Sequence, residues 1–261
     1  MDKLYSIGID SGSVATKAVL FKDRIMDTVL IPTGWSPKNA CSEVFESLLA
    51  RNSLNADDVY VVATGYGRVA TDFADKTLTE ITCHGKGAHY LDSDVRTILD
   101  IGGQDSKVIK LDRDGNIADF IMNDKCAAGT GRFLQVMVSL LGADIEDLDS
   151  LTRGAEPEKI NSMCTVFAES EVVSMLAGGS SKEAVASGIL HSIAGKISTL
   201  ASRVGIENKV MFTGGLAKSS ELTRIIEQKL GREVVTNSYS QLNGAIGAAV
   251  LGQHFANKKS K

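Results

Sequence analysis

Proline and cysteine are both scarce in this chain of 261 residues, which contains three prolines and four cysteines. With so few prolines there is no proline-rich linker, so neighbouring domains must be joined by ordered segments. The cysteines are spread along the chain and form no compact disulfide framework. In a reducing compartment they would stay free for metal chemistry. The four positions are Cys41, Cys83, Cys126 and Cys164.

Long apolar runs and basic blocks are also missing. No stretch approaches the length of a transmembrane helix, and no leader precedes the first predicted strand near Ile7. The formal net charge is −4, and there is no sustained run of Lys and Arg, so binding to nucleic acid or to an anionic membrane is not expected. The sequence therefore predicts a cytoplasmic protein with no membrane and no nucleic-acid partner.

A phosphate-binding loop of the Walker type is absent, because no Gly-x-x-x-x-Gly-Lys-Ser/Thr segment occurs. The segment Gly65-Tyr-Gly-Arg-Val-Ala70 imitates the dinucleotide fingerprint after a predicted strand, but no acidic residue stands at the expected offset of about 20 residues. A Rossmann-type dinucleotide site is therefore disfavoured, and the other glycine-rich turns are the candidate nucleotide sites.

Two glycine-rich hairpins share one plan and indicate a duplicated α/β domain. Residues 7–21 and residues 98–111 each show a strand ending in aspartate, a glycine-rich turn and a second strand. A third glycine turn, Thr213-Gly-Gly215, follows another predicted strand, and helical patterns fill the intervals. We expect a first domain over 1–95 and a second over 96–243, with a C-terminal helix over 244–256 that packs back on the first.

The paired hairpins are suited to bind a nucleotide, because backbone N–H groups in glycine turns approach phosphate oxygens closely. Asp10 and Asp100 hold equivalent places, so we expect them to face each other across a cleft and to hold Mg²⁺. Gln104 is predicted to position the attacking water. Alternatively, the aspartates only shape their turns. The predicted nucleotide contacts are Gly12, Ser13, Val14, Ala15, Thr16, Lys17, Gly102, Gly103, Gly214, Gly215 and Gln241.

Cys126 and Cys164 each precede a predicted helix. The partial positive charge at a helix N-terminus favours the thiolate, which is the form that binds iron or zinc. Two cysteines cannot enclose a metal centre, but two copies in a symmetric dimer supply the four that an iron–sulfur cubane requires. The alternative is a pair of buried, inert cysteines. Spacing alone leaves both interpretations open.

The hairpins and the third glycine turn resemble those of the superfamily of actin, sugar kinases and heat-shock-protein ATPases. Four segments narrow the resemblance to the ATP-dependent activators of 2-hydroxyacyl-CoA dehydratases, which are related to the ATPase subunits of benzoyl-CoA reductase. The resemblance covers residues 7–251. The four segments are Ala63-Thr-Gly-Tyr-Gly-Arg68, Asp100-Ile-Gly-Gly-Gln-Asp105, Asn123-Asp-Lys-Cys-Ala-Ala-Gly-Thr-Gly-Arg-Phe133 and Cys164-Thr-Val-Phe-Ala-Glu-Ser-Glu171.

This resemblance implies a duplicated actin-like (ribonuclease H-like) ATPase of two domains with a nucleotide cleft between them. It also implies a homodimer that binds ATP or ADP in each subunit and holds one [4Fe-4S] cluster between the subunits through Cys126 and Cys164. The implied activity is ATP hydrolysis coupled to the injection of a low-potential electron into a partner 2-hydroxyacyl-CoA dehydratase. The implied electron donor is a ferredoxin or a flavodoxin.

Two other functions fit the same fold. A small-molecule kinase acting on a sugar or a carboxylate would have inert cysteines, and its ATP turnover would rise with its substrate. A regulatory module that senses nucleotide would also leave the cysteines inert. A brown colour after anaerobic purification would exclude both alternatives, because inert cysteines hold no iron–sulfur cluster.

Overall fold

The computed structural model describes residues 5–125, 127–161, 164–207 and 209–259. Strands and helices alternate along the chain, which confirms the predicted α/β class. The strands are β1 (Tyr5–Ser11), β2 (Ala15–Lys22), β3 (Arg24–Pro32), β4 (Val59–Thr64), β5 (Lys76–Thr77), β6 (Thr97–Ile101), β7 (Ser106–Leu111), β8 (Ile117–Asn123), β9 (Val210–Gly214) and β10 (Val234–Val235). The helices are α1 (Pro37–Asn52), α2 (Glu80–Leu91), α3 (Gly131–Leu140), α4 (Leu148–Thr152), α5 (Thr165–Ala177), α6 (Lys182–Val204), α7 (Ser220–Leu230) and α8 (Asn243–Lys259).

The strands form two mixed sheets of five strands, and the two sheets have the same order. One sheet runs β3-β2-β1-β4-β5, and the other, read from its far edge, runs β8-β7-β6-β9-β10. In each sheet the central strand pairs antiparallel with its hairpin partner and parallel with a strand that follows a helical connection. The duplication predicted from the hairpins is therefore present in the topology.

The described parts of residues 1–95, 111–118 and 241–261 form one compact unit, which we call unit 1. Its helix α8 packs against β1 and α2. Gly8 of β1 permits this close approach, because a methyl group at that position would overlap Ala245 O and Ala249 N of α8. Unit 1 therefore builds its core by stacking a small-residue helix directly on the central strand.

The described parts of residues 96–110 and 119–240 form the second compact unit, unit 2. Its core surrounds α6, whose buried face carries residues such as Ile189, Ile193 and Ile197. Helices α3 and α5 pack on each other and on α6. None of the described helices is both long enough and apolar enough to cross a membrane. Unit 2 thus holds together the two helices that follow Cys126 and Cys164.

Candidate functional site

The β1–β2 turn is the first predicted phosphate-binding turn. Its backbone accepts hydrogen bonds from Thr33, which directly follows β3. Gly12 N–H donates to Ala15 O at 3.2 Å. Thr33 donates its N–H to Val14 O at 2.9 Å and its hydroxyl to Gly12 O at 2.7 Å. Since the Thr33 hydroxyl proton is used there, Thr16 Oγ1 donates to Thr33 Oγ1 across 2.9 Å. The Thr16 hydroxyl therefore supports the turn, and its contact with a nucleotide stays a prediction.

Asp10 and Lys17 form an ion pair across the first hairpin. They are direct partners in the β1–β2 register, and Lys17 Nζ lies 3.1 Å from Asp10 Oδ2. The adjacent Ser11 is fully buried, and among the described residues its hydroxyl has no hydrogen-bond partner. Ser13 is half-buried and Val14 is exposed at the turn. A cation beside accessible backbone N–H groups fits a phosphate chain.

The β6–β7 hairpin repeats this arrangement in unit 2. Gly102 N–H donates to Asp105 O at 2.9 Å, and Asp100 is the register partner of Lys107. Lys107 Nζ lies 3.5 Å from Asp100 Oδ2 and 2.7 Å from Asp105 Oδ2. On the other side, Thr213 of β9 donates its hydroxyl to Asp100 Oδ1 at 2.8 Å. The Asp100 carboxylate is therefore held at both oxygens, in an orientation set by the sheet.

The remaining predicted nucleotide residues are exposed or half-buried. Gln104 is exposed at the tip of the β6–β7 hairpin, beside the half-buried Gly103. Gly215 is exposed and begins a short 3-10 helix after β9. Gln241 is half-buried in the short 3-10 helix that precedes α8. Each predicted residue is thus placed in one of the two units, and its binding role stays a prediction.

The turns that follow β4 and β9 are equivalent in the two units. Gly65 has φ of 92° and Gly214 has φ of 94°, a region that favours glycine. A methyl group at Gly65 would lie 2.6 Å from Asp10 Oδ1, and one at Gly214 would overlap Ile101 O. Each turn therefore needs glycine to pack on the strand that carries the aspartate. The 3-10 helix Arg68–Ala70 follows the first turn, which confirms that no dinucleotide-binding helix begins there.

Two backbone hydrogen bonds join the second hairpin to the start of α3. Gly131 N–H donates to Gly102 O at 2.9 Å, and Arg132 N–H donates to Gly103 O at 2.9 Å. The first N–H groups of a helix have no partner inside the helix, so an external acceptor is required. Here the predicted phosphate turn supplies it. The turn and the helix that follows Cys126 are therefore in direct contact.

Cys164 stands at the N-cap of α5 and is exposed. Val166 and Phe167 in the same turn are 67% and 68% exposed, so the thiol is bordered by apolar surface. Cys126, the other predicted iron ligand, lies outside the described residues. An accessible thiol at a helix N-terminus has the chemistry of an iron ligand, although one thiol alone cannot hold a cluster.

Cys41 and Cys83 are buried, which is typical of structural cysteines. Cys41 accepts a hydrogen bond from the Thr71 hydroxyl at 3.3 Å. Burial raises the pKa of the Cys83 thiol to about 12, which disfavours the thiolate. Within the described ranges, no group of three or more His, Cys, Asp and Glu side chains could hold a metal ion. Neither cysteine is therefore a suitable metal ligand.

Three residues of these sites were not among the site residues predicted from the sequence: Thr33, Lys107 and Thr213. Lys107 had a signal, because it follows Asp100 by seven residues, as Lys17 follows Asp10. The two threonines had no such signal. Thr33 contacts Gly12 where β2 and β3 pair, and Thr213, noted in the sequence only as part of the third glycine turn, contacts Asp100 where β6 and β9 pair.

The sequence matches the protein-family model described as the BadF/BadG/BcrA/BcrD ATPase family over residues 7–252. It is 47% identical to the uncharacterized protein YjiL of Escherichia coli strain K12, with 98% of this chain and 99% of the relative covered. It is 43% identical to the (R)-2-hydroxyglutaryl-CoA dehydratase activating ATPase of Acidaminococcus fermentans, with 98% and 99% covered.

The structure is similar to that of the activator of the 2-hydroxyisocaproyl-CoA dehydratase from Clostridium difficile with bound ADPNP. The TM-score is 0.92 at 40% identity, and the match covers 98% of this chain and 97% of the other. This similarity confirms the predicted actin-like ATPase fold.

Proposed function

Because the chain belongs to the BadF/BadG/BcrA/BcrD ATPase family, we propose that it is an ATP-driven electron donor to a 2-hydroxyacyl-CoA dehydratase. Relatives that align with nearly the whole chain are named as activators of such dehydratases. On this proposal, a cytoplasmic homodimer hydrolyses ATP, accepts one electron from a ferredoxin or a flavodoxin, and passes it to the dehydratase.

The two hairpins supply the groups for ATP hydrolysis. The backbone N–H groups of the turns and the Lys17 ammonium bind phosphate oxygens. Asp10 is the proposed Mg²⁺ ligand of unit 1 and Asp100 that of unit 2, directly or through water; bound Mg²⁺ offsets the charge of the phosphates. Gln104 orients the attacking water from the tip of the second hairpin. The carboxylates are suited to this role because paired residues already hold them in one orientation.

Cys126 and Cys164 are the proposed ligands of a [4Fe-4S] cluster shared by two subunits, which supplies one-electron chemistry when bound. The exposed position of Cys164 and the apolar side chains of Val166 and Phe167 support an intersubunit site. The N-terminus of α5, with roughly half a positive charge, would stabilise an anionic centre at Cys164, whereas the first N–H groups of α3 donate to the β6–β7 turn. Any movement of these helices then changes the electrostatic field at the cluster.

The observation that carries the proposal is the pair of hydrogen bonds between the β6–β7 turn and α3. A phosphate group bound at Gly102 and Gly103 attracts the N–H groups of this turn. The carbonyl oxygens of the same two residues accept from Gly131 and Arg132 in the first turn of α3. A shift of the turn on nucleotide hydrolysis is therefore transmitted to the helix that Cys126 precedes. Through this contact, a change from bound ATP to bound ADP would alter the position of α3 and so affect the iron site.

Gln104→Ala should slow ATP hydrolysis without weakening ATP binding. The side chain is exposed at the hairpin tip, whereas binding energy comes mainly from backbone groups and Lys17. Removing a water-orienting amide raises the barrier of the chemical step alone. Steady-state turnover and the equilibrium affinity for a non-hydrolysable ATP analogue measure the two effects separately. Turnover at the wild-type rate would remove Gln104 from the water-positioning role.

The proposed function is tested by anaerobic purification together with the partner dehydratase. We expect a brown protein that delivers an electron to the dehydratase only when ATP is hydrolysed. Omitting ATP, or replacing it with a non-hydrolysable analogue, is the control. A colourless protein whose ATP turnover rises with a sugar or a carboxylate would instead identify a kinase of the same fold.

A further inference from the structure

His84 of α2 lies in unit 1, where it faces the start of α8 and is 7% exposed. In the sequence, His84 stands next to Cys83 and close to His89, but three ligands without a fourth make a zinc site unlikely. In the structure its neighbour is Asn243, the first residue of α8, which is 1% exposed. Asn243 Nδ2 lies 3.0 Å from His84 O and 3.3 Å from His84 Nδ1. One amide group thus contacts both the backbone and the ring of His84.

These two contacts determine which ring nitrogen of neutral His84 carries the proton. A carbonyl oxygen only accepts hydrogen bonds, so the Asn243 atom facing His84 O is the amide nitrogen. The same NH₂ group faces Nδ1, and an amide nitrogen only donates, so Nδ1 is the acceptor. The proton of the neutral ring is therefore on Nε2. Asn243 fixes this tautomer, because the hydrogen bond made by one ring nitrogen generally determines which of the two nitrogens is protonated.

The Nε2 atom of the ring and the carboxylate of Asp10 lie on the same side of Gly244. A methyl group built on Gly244 would lie 3.0 Å from His84 Nε2 and 2.9 Å from Asp10 Oδ2. Two atoms that are each about 3 Å from one point are at most about 6 Å apart, a separation that one bridging water can span. The same oxygen, Oδ2, accepts from Lys17 Nζ at 3.1 Å. The donor His84 Nε2–H and the proposed Mg²⁺ ligand Asp10 therefore both lie beside Gly244.

We propose that His84 is a positioning residue for Asp10, which it orients from Nε2–H through one bridging water while Asn243 holds the ring in that tautomer. Lys17 and His84 then fix Oδ2 from two directions, and this sets the orientation of the whole carboxylate. Gly244 is part of the arrangement, because a side chain there would separate the ring from the carboxylate. The inference rests on the proposed role of Asp10 as a Mg²⁺ ligand in the nucleotide site.

The tautomer is tested on the metal-free, nucleotide-free protein by NMR of ¹⁵N-labelled histidine. His84→Gln identifies the His84 signals among those of the four histidines. The wild-type ring should show the proton on Nε2, and Asn243→Leu should let the Nδ1–H form appear. A neutral wild-type ring protonated on Nδ1 would overturn the proposal.

The positioning role is tested by calorimetric titration with ADP, with and without Mg²⁺. His84→Leu and Gly244→Ala should each weaken binding of Mg²⁺-ADP by roughly 10–100-fold, the usual cost of losing an outer-shell partner. Binding of ADP in the presence of a chelator should not change, and His84→Gln, which keeps a donor, should largely retain the wild-type affinity. Gly195→Ala is the matched control, because a methyl group there meets no atom within 4 Å.

Equal losses with and without Mg²⁺, or wild-type Mg²⁺-ADP binding by His84→Leu, would overturn the positioning role. Neither measurement requires the iron–sulfur cluster or the dehydratase. A protein that shows the His84 effects but delivers no electron would therefore contradict the proposed function and leave this inference standing.

Discussion

Replacing Cys164 with alanine is expected to remove the iron from anaerobically purified protein and to abolish electron transfer. Wild-type protein should contain about two irons per chain, because two subunits would share one [4Fe-4S] cluster. Loss of one thiol from each subunit leaves only two of the four ligands. Cys126→Ala should have the same effect. Iron assay and gel filtration under anaerobic conditions measure the loss of iron and the weakening of the dimer.

Cys41→Ala and Cys83→Ala are the matched controls for this experiment. Both thiols are buried, and burial raises the pKa of Cys83 to about 12, so neither is a suitable iron ligand. Each variant should keep the iron content of the wild type. Four irons per monomer, or an intact cluster in Cys164→Ala, would contradict a cluster that bridges two subunits.

Gly131→Val is expected to uncouple the nucleotide from the cluster. Even a methyl group at Gly131 would lie 3.2 Å from Gly102 O and 3.6 Å from Gly103 Cα, so a branched side chain must push the turn away from α3. In the wild type, reduction of the cluster should change ATP affinity relative to ADP by roughly 5–150-fold, a typical coupling between two sites. In Gly131→Val this ratio should approach one, while iron content stays normal.

The measurement is equilibrium binding of ADP and a non-hydrolysable ATP analogue to the oxidised and the reduced protein. Gly195→Val in α6 is the matched control, because the space beside Gly195 is open. This control should keep the wild-type ratio. If Gly131→Val kept it as well, the two hydrogen bonds to α3 would not carry the coupling.

Much of the local structure was predictable because its signals are local. The hairpin turns at Gly12 and Gly102 lie between apolar runs that pair in register, and both form as predicted. Helix α5 begins after Cys164 and ends before Gly178, as its apolar pattern indicated. The repeated spacing from Asp10 to Lys17 also marks Lys107, although that signal was overlooked.

Contacts between distant segments were not predictable. Thr213 reaches Asp100 only because β6 and β9 pair, and the two residues are 113 apart in the chain. The bond from Gly131 N–H to Gly102 O involves backbone atoms only, so no side chain marks it in the sequence. The sequence gives His84 no clear role, whereas the fold places Asn243 and Gly244 beside it. Such roles follow from tertiary packing rather than from residue type.

The midpoint potential of the cluster, measured anaerobically without nucleotide, with ADP and with a non-hydrolysable ATP analogue, tests the central claim most directly. Binding equilibria at coupled sites are reciprocal, so a nucleotide that prefers one state must shift the potential. For a one-electron centre, a coupling of 5–150-fold corresponds to roughly 40–130 mV. We predict a shift of this size between the ADP and ATP states. Identical potentials in all three states would describe an ATPase with a passive iron site and would contradict the electron-donor account.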